Sequence, residues 1–369
     1  MLSMNDPLYF PRTELASRLL TSLKDGIMHA LTLFAPRRMG KTQFLLNDIK
    51  PMAEEMGFNV FYFSFMEKSE GEIKKAFNAQ LLQFLADVTS GANKFTQALK
   101  QLKSVDVLGV GIELENPKTA LSVTAVGLIN ELAEKSKKPI LMLLDEVQEL
   151  AREKGNNDFI QSLRTGLDIN QSKIKVIFTG SSTNGLRLMF NDNKAPFFHF
   201  AHAIDFPHLG KAFTDFLADV YHARTGKQIN KADFYRFFEH FHFTPLYMRS
   251  IAQDMIINPD LTLEQAAQYR LSQMAELSET RQEWGKLSLL EREILKLIAG
   301  GNSTPYKKAT RELLARKIGV DEVSTSTIQG QIRKLEKKEL VTRDISKAIK
   351  INNPHFLTWV KENCVDENQ

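Results

Sequence analysis

Ten consecutive residues, Leu33-Phe34-Ala35-Pro36-Arg37-Arg38-Met39-Gly40-Lys41-Thr42, carry the types and spacing needed to enclose a chain of phosphates. A phosphate site of this kind needs a strand that feeds a tight turn into a helix. The backbone N–H groups of the turn and the dipole of the helix N-terminus then converge on the anion. Here Gly40 lets the backbone come close, Lys41 reaches the β- and γ-phosphates, and the Thr42 hydroxyl coordinates Mg²⁺. Ala35 stands where glycine is usual. It fills the turn with a methyl group but leaves the phosphate-facing amides of Pro36–Thr42 in place, apart from the proline.

A phosphate loop has to be answered by an acidic strand end that holds the metal through water. The apolar run Pro139–Leu144 followed by Asp145-Glu146 supplies one, with Asp145 as the metal partner and Glu146 placed to polarise an attacking water. A pair of surface acids after a strand is the plainer alternative. A third polar cluster, Gly180-Ser181-Ser182, closes the apolar run Ile174–Thr179. Ligands bind at the C-terminal edge of parallel sheets, so the Ser181 hydroxyl could sense the γ-phosphate or hold the water. A simple strand-to-helix turn is the alternative there.

The elements that must position these groups alternate. Helical spacing covers Thr13–Asp25, Lys41 to about Met56, parts of 69–104, about Thr119–Lys135 and Asp158–Leu167. Between them lie apolar runs read as strands: Ala30–Ala35, Phe58–Phe65, Pro139–Leu144, Ile174–Thr179 and Ala203–Phe206. Val107–Leu114 reads as a short hairpin or inserted strand. Strands apolar on both faces and alternating with helices predict a three-layer α/β fold around a parallel sheet. From Gly210 to Ala275 the pattern is helical throughout, a lid. Three domains follow: 1–209 for nucleotide, 210–285 as lid, and 286–369 as a C-terminal module.

Composition sets the outer limits. The 369 residues are 43% hydrophobic and 25% charged, as in ordinary globular chains. No apolar run approaches the roughly 20 residues needed to span a bilayer, so no membrane partner is expected. The N-terminal residues lack the pattern of a secretory signal. The single cysteine, Cys364, excludes an intramolecular disulfide and suits a reducing, cytoplasmic setting. The eight histidines show no metal spacing and read as packing or surface groups.

The net charge of +4 is unevenly spread: residues 281–353 hold 16 Lys/Arg against 9 Asp/Glu, or +7, leaving about −3 elsewhere. That region reads as three helices, Leu289–Ala299, Ala309–Ile318 and Ser324–Lys338, then a hairpin over Leu340–Ile351 and a short closing helix. Ser324 is a natural N-cap and Gly319 a natural C-cap. This is the helix-turn-helix plan with a wing, and it resembles a winged-helix domain. On the third helix Ile328, Ile332 and Leu335 share the face to be buried. Ser326, Gln329, Arg333 and Lys337 lie opposite, and the wing adds Arg343, Lys347 and Lys350. Such groups bond base edges and phosphates of double-stranded DNA. A protein-interaction module or a merely solvated basic face remains the alternative.

The phosphate loop and Asp-Glu pair place the chain among the additional-strand, catalytic-glutamate ATPases. More narrowly, it resembles the AAA-like ATPases called the archaeal ATPase family, relatives of the STAND signalling ATPases. The residues that carry this are FAPRRMGKT (34–42), LLDEVQEL (143–150), FTGSS (178–182), AIDFPHL (203–209) and TPLYMRSIA (244–252). The box Tyr9–Leu15 is similar to the family's entry segment, which implies Phe10 and Arg12 beside the adenine. One departure is plain: the stretch 195–200 lacks the arginine such proteins carry there, and Arg249 is the substitute candidate for a γ-phosphate contact. The resemblance implies ATP and Mg²⁺ as ligands, hydrolysis as the activity, and nucleotide-dependent assembly at most weak. Two readings follow: an ATP-switched DNA-binding protein, or a STAND-like switch whose winged helix clamps the nucleotide domain and ignores DNA. A small-molecule kinase would need a lid rich in arginines, which residues 210–275 do not show.

Overall fold

The computed structural model describes residues 6–66, 72–89, 124–152, 154–181, 189–190, 197–275, 278–302, 305–343 and 348–364. Three runs of β-branched and aliphatic residues form its centre. β1 (Ala30–Phe34), β3 (Ile140–Asp145) and β4 (Ile174–Gly180) are buried along their whole length. β2 (Asn59–Ser64) and the more exposed β5 (His202–Asp205) are the edges. The sheet runs β2-β3-β4-β1-β5 with every pair parallel. Because β1 sits between two strands that come later in the chain, its C-terminal end opens on a crevice where ligands bind in such sheets.

Helices cover both faces. On one face α4 (Ile73–Val88), α5 (Ala125–Lys135) and α7 (Asn157–Ile169), with the short α6 (Glu149–Arg152) before the last, bury Phe77, Ile129 and Leu163. A Cβ at Gly166 would lie 3.0 Å from Ile129, so glycine permits α7 to approach α5. On the other face α1 (Thr13–Lys24) and the helix after the phosphate loop bury Leu20, Phe44 and Ile49. That helix is not the continuous one its spacing predicts. α2 (Lys41–Phe44) passes through a π-helical turn (Leu45–Ile49) into α3 (Lys50–Glu55). Pro51 has no N–H to give to Asn47 four residues back, and the helix widens ahead of it. The segments expected over 95–102 and 107–114, and the helix start at 119–123, lie outside the described residues.

In the segment expected to be the lid, 211–275 folds as α8 (Lys211–Thr225), α9 (Lys231–His240), α10 (Pro245–Ile257) and α11 (Leu263–Ala275). Their aromatic core of Phe213, Phe234, Phe238 and Phe241 also takes Leu8, so the N-terminal segment is fastened to the lid. An eight-residue helix that the spacing did not predict, α12 (Ser278–Gly285), follows. Its Trp284 packs edge-on against Trp359.

The C-terminal elements come in the expected order: α13 (Leu289–Ala299), α14 (Lys308–Ile318), α15 (Thr325–Lys337), antiparallel β6 (Val341–Arg343) and β7 (Ile349–Ile351), then α16 (Pro354–Cys364), longer than the spacing suggested. Ile328, Ile332 and Leu335 are fully buried in a core of their own. The caps are where the chemistry put them. The Ser324 hydroxyl accepts from Thr327 N–H, and Gly319 turns the end of α14 at φ 71°. Among the described residues no helix is long and apolar enough to cross a membrane.

Candidate active site

The register of the sheet brings the strand ends level: Phe34 pairs with Gly180 and Asp205, and Leu144 with Phe178. The loop after β1 therefore faces the residues that end β3 and β4. Within the loop, Arg38 and Gly40 have φ of 69° and 87°. A Cβ at Gly40 would meet nothing within 4 Å. Glycine is thus favoured here by the left-handed backbone. Lys41 is 4% exposed, and its ammonium donates to the carbonyls of Ala35 (2.7 Å) and Pro36 (2.8 Å). Burial pushes its pKa down to about 8, against the partial restoring pull of Glu146 and Asp145.

Asp145, 1% exposed, is the centre of a hydroxyl cluster. Its carboxylate accepts from Thr42 (2.6 Å), from Tyr62 (3.3 Å), from Thr179, and from the backbone N–H of Glu146 (3.1 Å). Thr42 and Asp145 were expected to act on one metal, and they touch. Two hard oxygens, a hydroxyl and a carboxylate, suit Mg²⁺, which takes its other ligands from phosphates and waters. Among the described residues no group of three or more His, Cys, Asp or Glu could hold a metal without such help.

Glu146 sits at φ 54°, an uncommon conformation for a side chain of this size, and such positions collect at functional sites. Its carboxylate accepts from the Ser181 hydroxyl (2.7 Å) and from the Gln148 amide. Arg37 reaches the same Ser181 oxygen at 3.4 Å. Lys41, Thr42, Asp145, Glu146 and Ser181 are thus brought to one place, with Arg37 at its margin. Sequence reasoning missed Tyr62, Gln148 and Thr179. Gln148 and Thr179 lay inside quoted motifs, and Tyr62 stands one register step before the residue paired with Phe63's partner Leu144, opposite Leu143. Ser182 is outside the described residues.

A second group lines a cleft of about 310 Å³ beside the loop: Phe10, Arg12, Arg38, Met39, Gly40 and Arg249 among others. Phe10 lies against Phe213 and Phe216 of α8. The Arg12 guanidinium lies 4.1 Å over the Phe206 ring, and its Nη2 is buried with no hydrogen-bond partner among the described residues. Asp48, in the π-helical turn, accepts from the Tyr9 hydroxyl and from Arg12 N–H, and so fixes this wall. Arg38 bonds Tyr247 at 2.9 Å, which ties the loop to α10. Arg249 lines the same cleft as the loop residues Arg38, Met39 and Gly40. It pairs with Asp6 at 2.5 Å, and no contact joins it to Asp145 or Glu146. Its own helix turns it toward the N-terminal segment, and Arg37 is the cation beside Ser181. The arginine-free stretch has a structural use here: Phe197 and Phe200 pack on Phe178 at 5.3 and 6.2 Å.

On the C-terminal module Ser326, Gln329, Arg333 and Lys337 are exposed along α15. Arg343 is engaged within the module, by Glu336 (2.9 Å) and the Tyr306 hydroxyl (3.2 Å). Lys347 lies outside the described residues.

A parallel sheet of this order, with a lysine-bearing loop after β1 answered by an acidic pair after β3, defines a P-loop ATPase. The chain belongs to the family described as an ATPase domain predominantly from Archaea, whose profile matches residues 9–238. It hydrolyses ATP, as that family and fold imply. Among solved structures it is similar to the Walker-type ATPase of Pyrococcus abyssi, at 19% identity and TM-score 0.62, with 96% of each chain covered. It is also similar to the ORC2 protein of Aeropyrum pernix, solved as ADPNP–ADP complexes, at 15% identity and TM-score 0.52, with 97% of each chain covered. No curated protein sequence matches the chain.

Proposed function

We propose that this ATPase takes ATP·Mg²⁺ at residues 35–42, hydrolyses it with Glu146, and uses its nucleotide state to control binding of double-stranded DNA through residues 286–369 acting as a winged helix. The observation that carries the chemistry is the direct bond of Thr42 to Asp145 beside a buried Lys41. The Aeropyrum pernix relative, solved with ADPNP and ADP, adds a precedent for nucleotide on this fold. Bound Mg²⁺ would neutralise charge on the β- and γ-phosphates. In this scheme Lys41 leaves its loop carbonyls for the phosphates, and Arg12 and Phe10 flank the base. The Glu146 carboxylate orients a water and takes its proton as oxygen attacks the γ-phosphorus and ADP departs. Ser181 holds Glu146 or the γ-phosphate, and Arg249, which lines the cleft, can turn from Asp6 to the γ-phosphate. The parts are 1–209 for the nucleotide, 210–285 for the lid and 286–369 for DNA.

The DNA reading rests on the exposed face of α15, where Ser326, Gln329, Arg333 and Lys337 stand clear of the core formed by Ile328, Ile332 and Leu335. Duplex binding titrated against salt, with and without ATP, tests it. The expected result is binding whose affinity falls with salt and changes with nucleotide. A second reading, the clamp without DNA, is favoured by one observation: β7 and α16 share a cavity with the phosphate loop. Absence of salt-sensitive duplex binding in every nucleotide state would leave that reading alone.

A further inference from the structure

We propose that the cavity between the phosphate loop and the C-terminal hairpin is a second ligand site, for a small amphiphilic anion with a carboxylate or phosphate headgroup on an apolar body. The cavity is about 460 Å³, within the range of small-molecule sites. It meets the phosphate loop at Ala35, Pro36 and Met39, but Lys41, Thr42, Asp145 and Glu146 do not line it, and among the described residues Met39 alone lines both this cavity and the 310 Å³ cleft.

Its walls combine two chemistries. Phe206, Phe243, Ile298, Ile351 and Leu357 present apolar surface, from the sheet edge, the lid and the C-terminal module. Two polar atoms in the lining residues are buried and without a hydrogen-bond partner: Thr342 Oγ1, on a residue 6% exposed, and His242 Nε2. Buried polar groups in native proteins are almost always paired, so two orphans among the residues of one cavity mark a place for a ligand's polar atoms. Lys350, Lys361 and Asp205 line the same space; Lys350 and Asp205 have partners of their own, so the exposed ammonium of Lys361 sets the sign of the ligand.

The backbone agrees. His242 and Phe243 hold φ of 50° and 54°, two consecutive left-handed residues that are not glycine. Such strain gathers at ligand sites and persists where the surroundings fix it. The lysines also act on the histidines: burial first, then Lys361, pushes His242 down to about 4, and burial with Lys350 lowers His208. Both rings are therefore neutral near pH 7, and His242 offers a hydrogen bond while the charge comes from Lys361.

Two probes differ only in headgroup, 2-naphthoate and 1-naphthyl phosphate, and each is titrated calorimetrically into the full chain. The expected result is saturable 1:1 binding of at least one. Which one binds assigns the headgroup. Thr342→Val should weaken it about tenfold, the value of one hydrogen bond to a charged group. Lys361→Ala, on an exposed part of α16, should weaken it as well, and both variants should bind ATP as the wild type does. The proposal is overturned if neither probe saturates, if both variants bind like wild type, or if Lys41→Ala abolishes probe and ATP binding together. The last outcome would put the probe in the nucleotide site.

Discussion

The centre around Asp145 and the outer face of α15 solve opposite problems with similar residues. At the first, buried hydroxyls and carboxylates spend their hydrogen bonds on one another, so each fixes the next, and the buried Lys41 is held by the loop's own carbonyls. At the second, Ser326, Gln329, Arg333 and Lys337 point to water and are held only by the helix beneath them. Burial makes polar geometry expensive to get wrong, so the first arrangement limits its own chemistry to a narrow class. Exposure leaves the second free to meet a partner, and also free to meet none. The phosphate loop therefore defines an activity, whereas the α15 face defines a proposal.

The contrast can be broken from either side. The largest effect is expected at the buried side. Lys41→Ala removes the one ammonium inside the loop and should lower kcat/KM for ATP by about 10³-fold, as loss of a preorganised charge does. A loss below tenfold in steady-state turnover would mean that burial there serves the fold alone. On the exposed side, Arg333→Glu with Lys337→Glu should weaken duplex binding by roughly 10²-fold and reduce the salt slope by about two. Turnover without DNA should stay near normal, because neither residue touches a core. A clamp without DNA predicts instead an altered basal turnover and no DNA effect.

Proton linkage sharpens the comparison further. The Lys41 ammonium gives up its proton near pH 8 because burial disfavours the charge. Phosphates favour the charged form, so binding above pH 8 takes up a proton. ATP affinity should be at its plateau below pH 8 and fall by up to about tenfold per unit above it. A flat affinity between pH 7 and 9.5, measured by titration, would contradict the buried-ammonium account. The smallest effect belongs to the C-terminal module. Ser324→Ala removes the cap of α15 and should cost about 1 kcal/mol of that module's stability in a denaturant melt, while ATP turnover is untouched.

What the sequence disclosed follows the same division. Strands buried on both faces announce themselves as apolar runs, so the sheet was legible to within a residue or two at Phe34 and Asp145. The loop and the acidic pair were legible because their chemistry demands fixed local spacing. Tyr62 was not, because its partner Asp145 lies far off in the chain and only the sheet register brings the two near. The pairing of Arg249 was hidden for a related reason. A helical pattern tells which face a residue occupies, and says nothing of Asp6 waiting on that face. The π-helical turn had a visible signal in Pro51, whose lack of an N–H the helical spacing alone passes over.

Glu146→Gln tests the central claim most directly, since it removes the base while leaving the metal pair Thr42 and Asp145 intact. ATP binding by titration and single-turnover hydrolysis would be measured on the same protein. The account predicts an ATP affinity within about threefold of wild type and a hydrolysis rate lower by roughly 10²–10⁴-fold. Hydrolysis at the wild-type rate would contradict it, and would move the base to another residue.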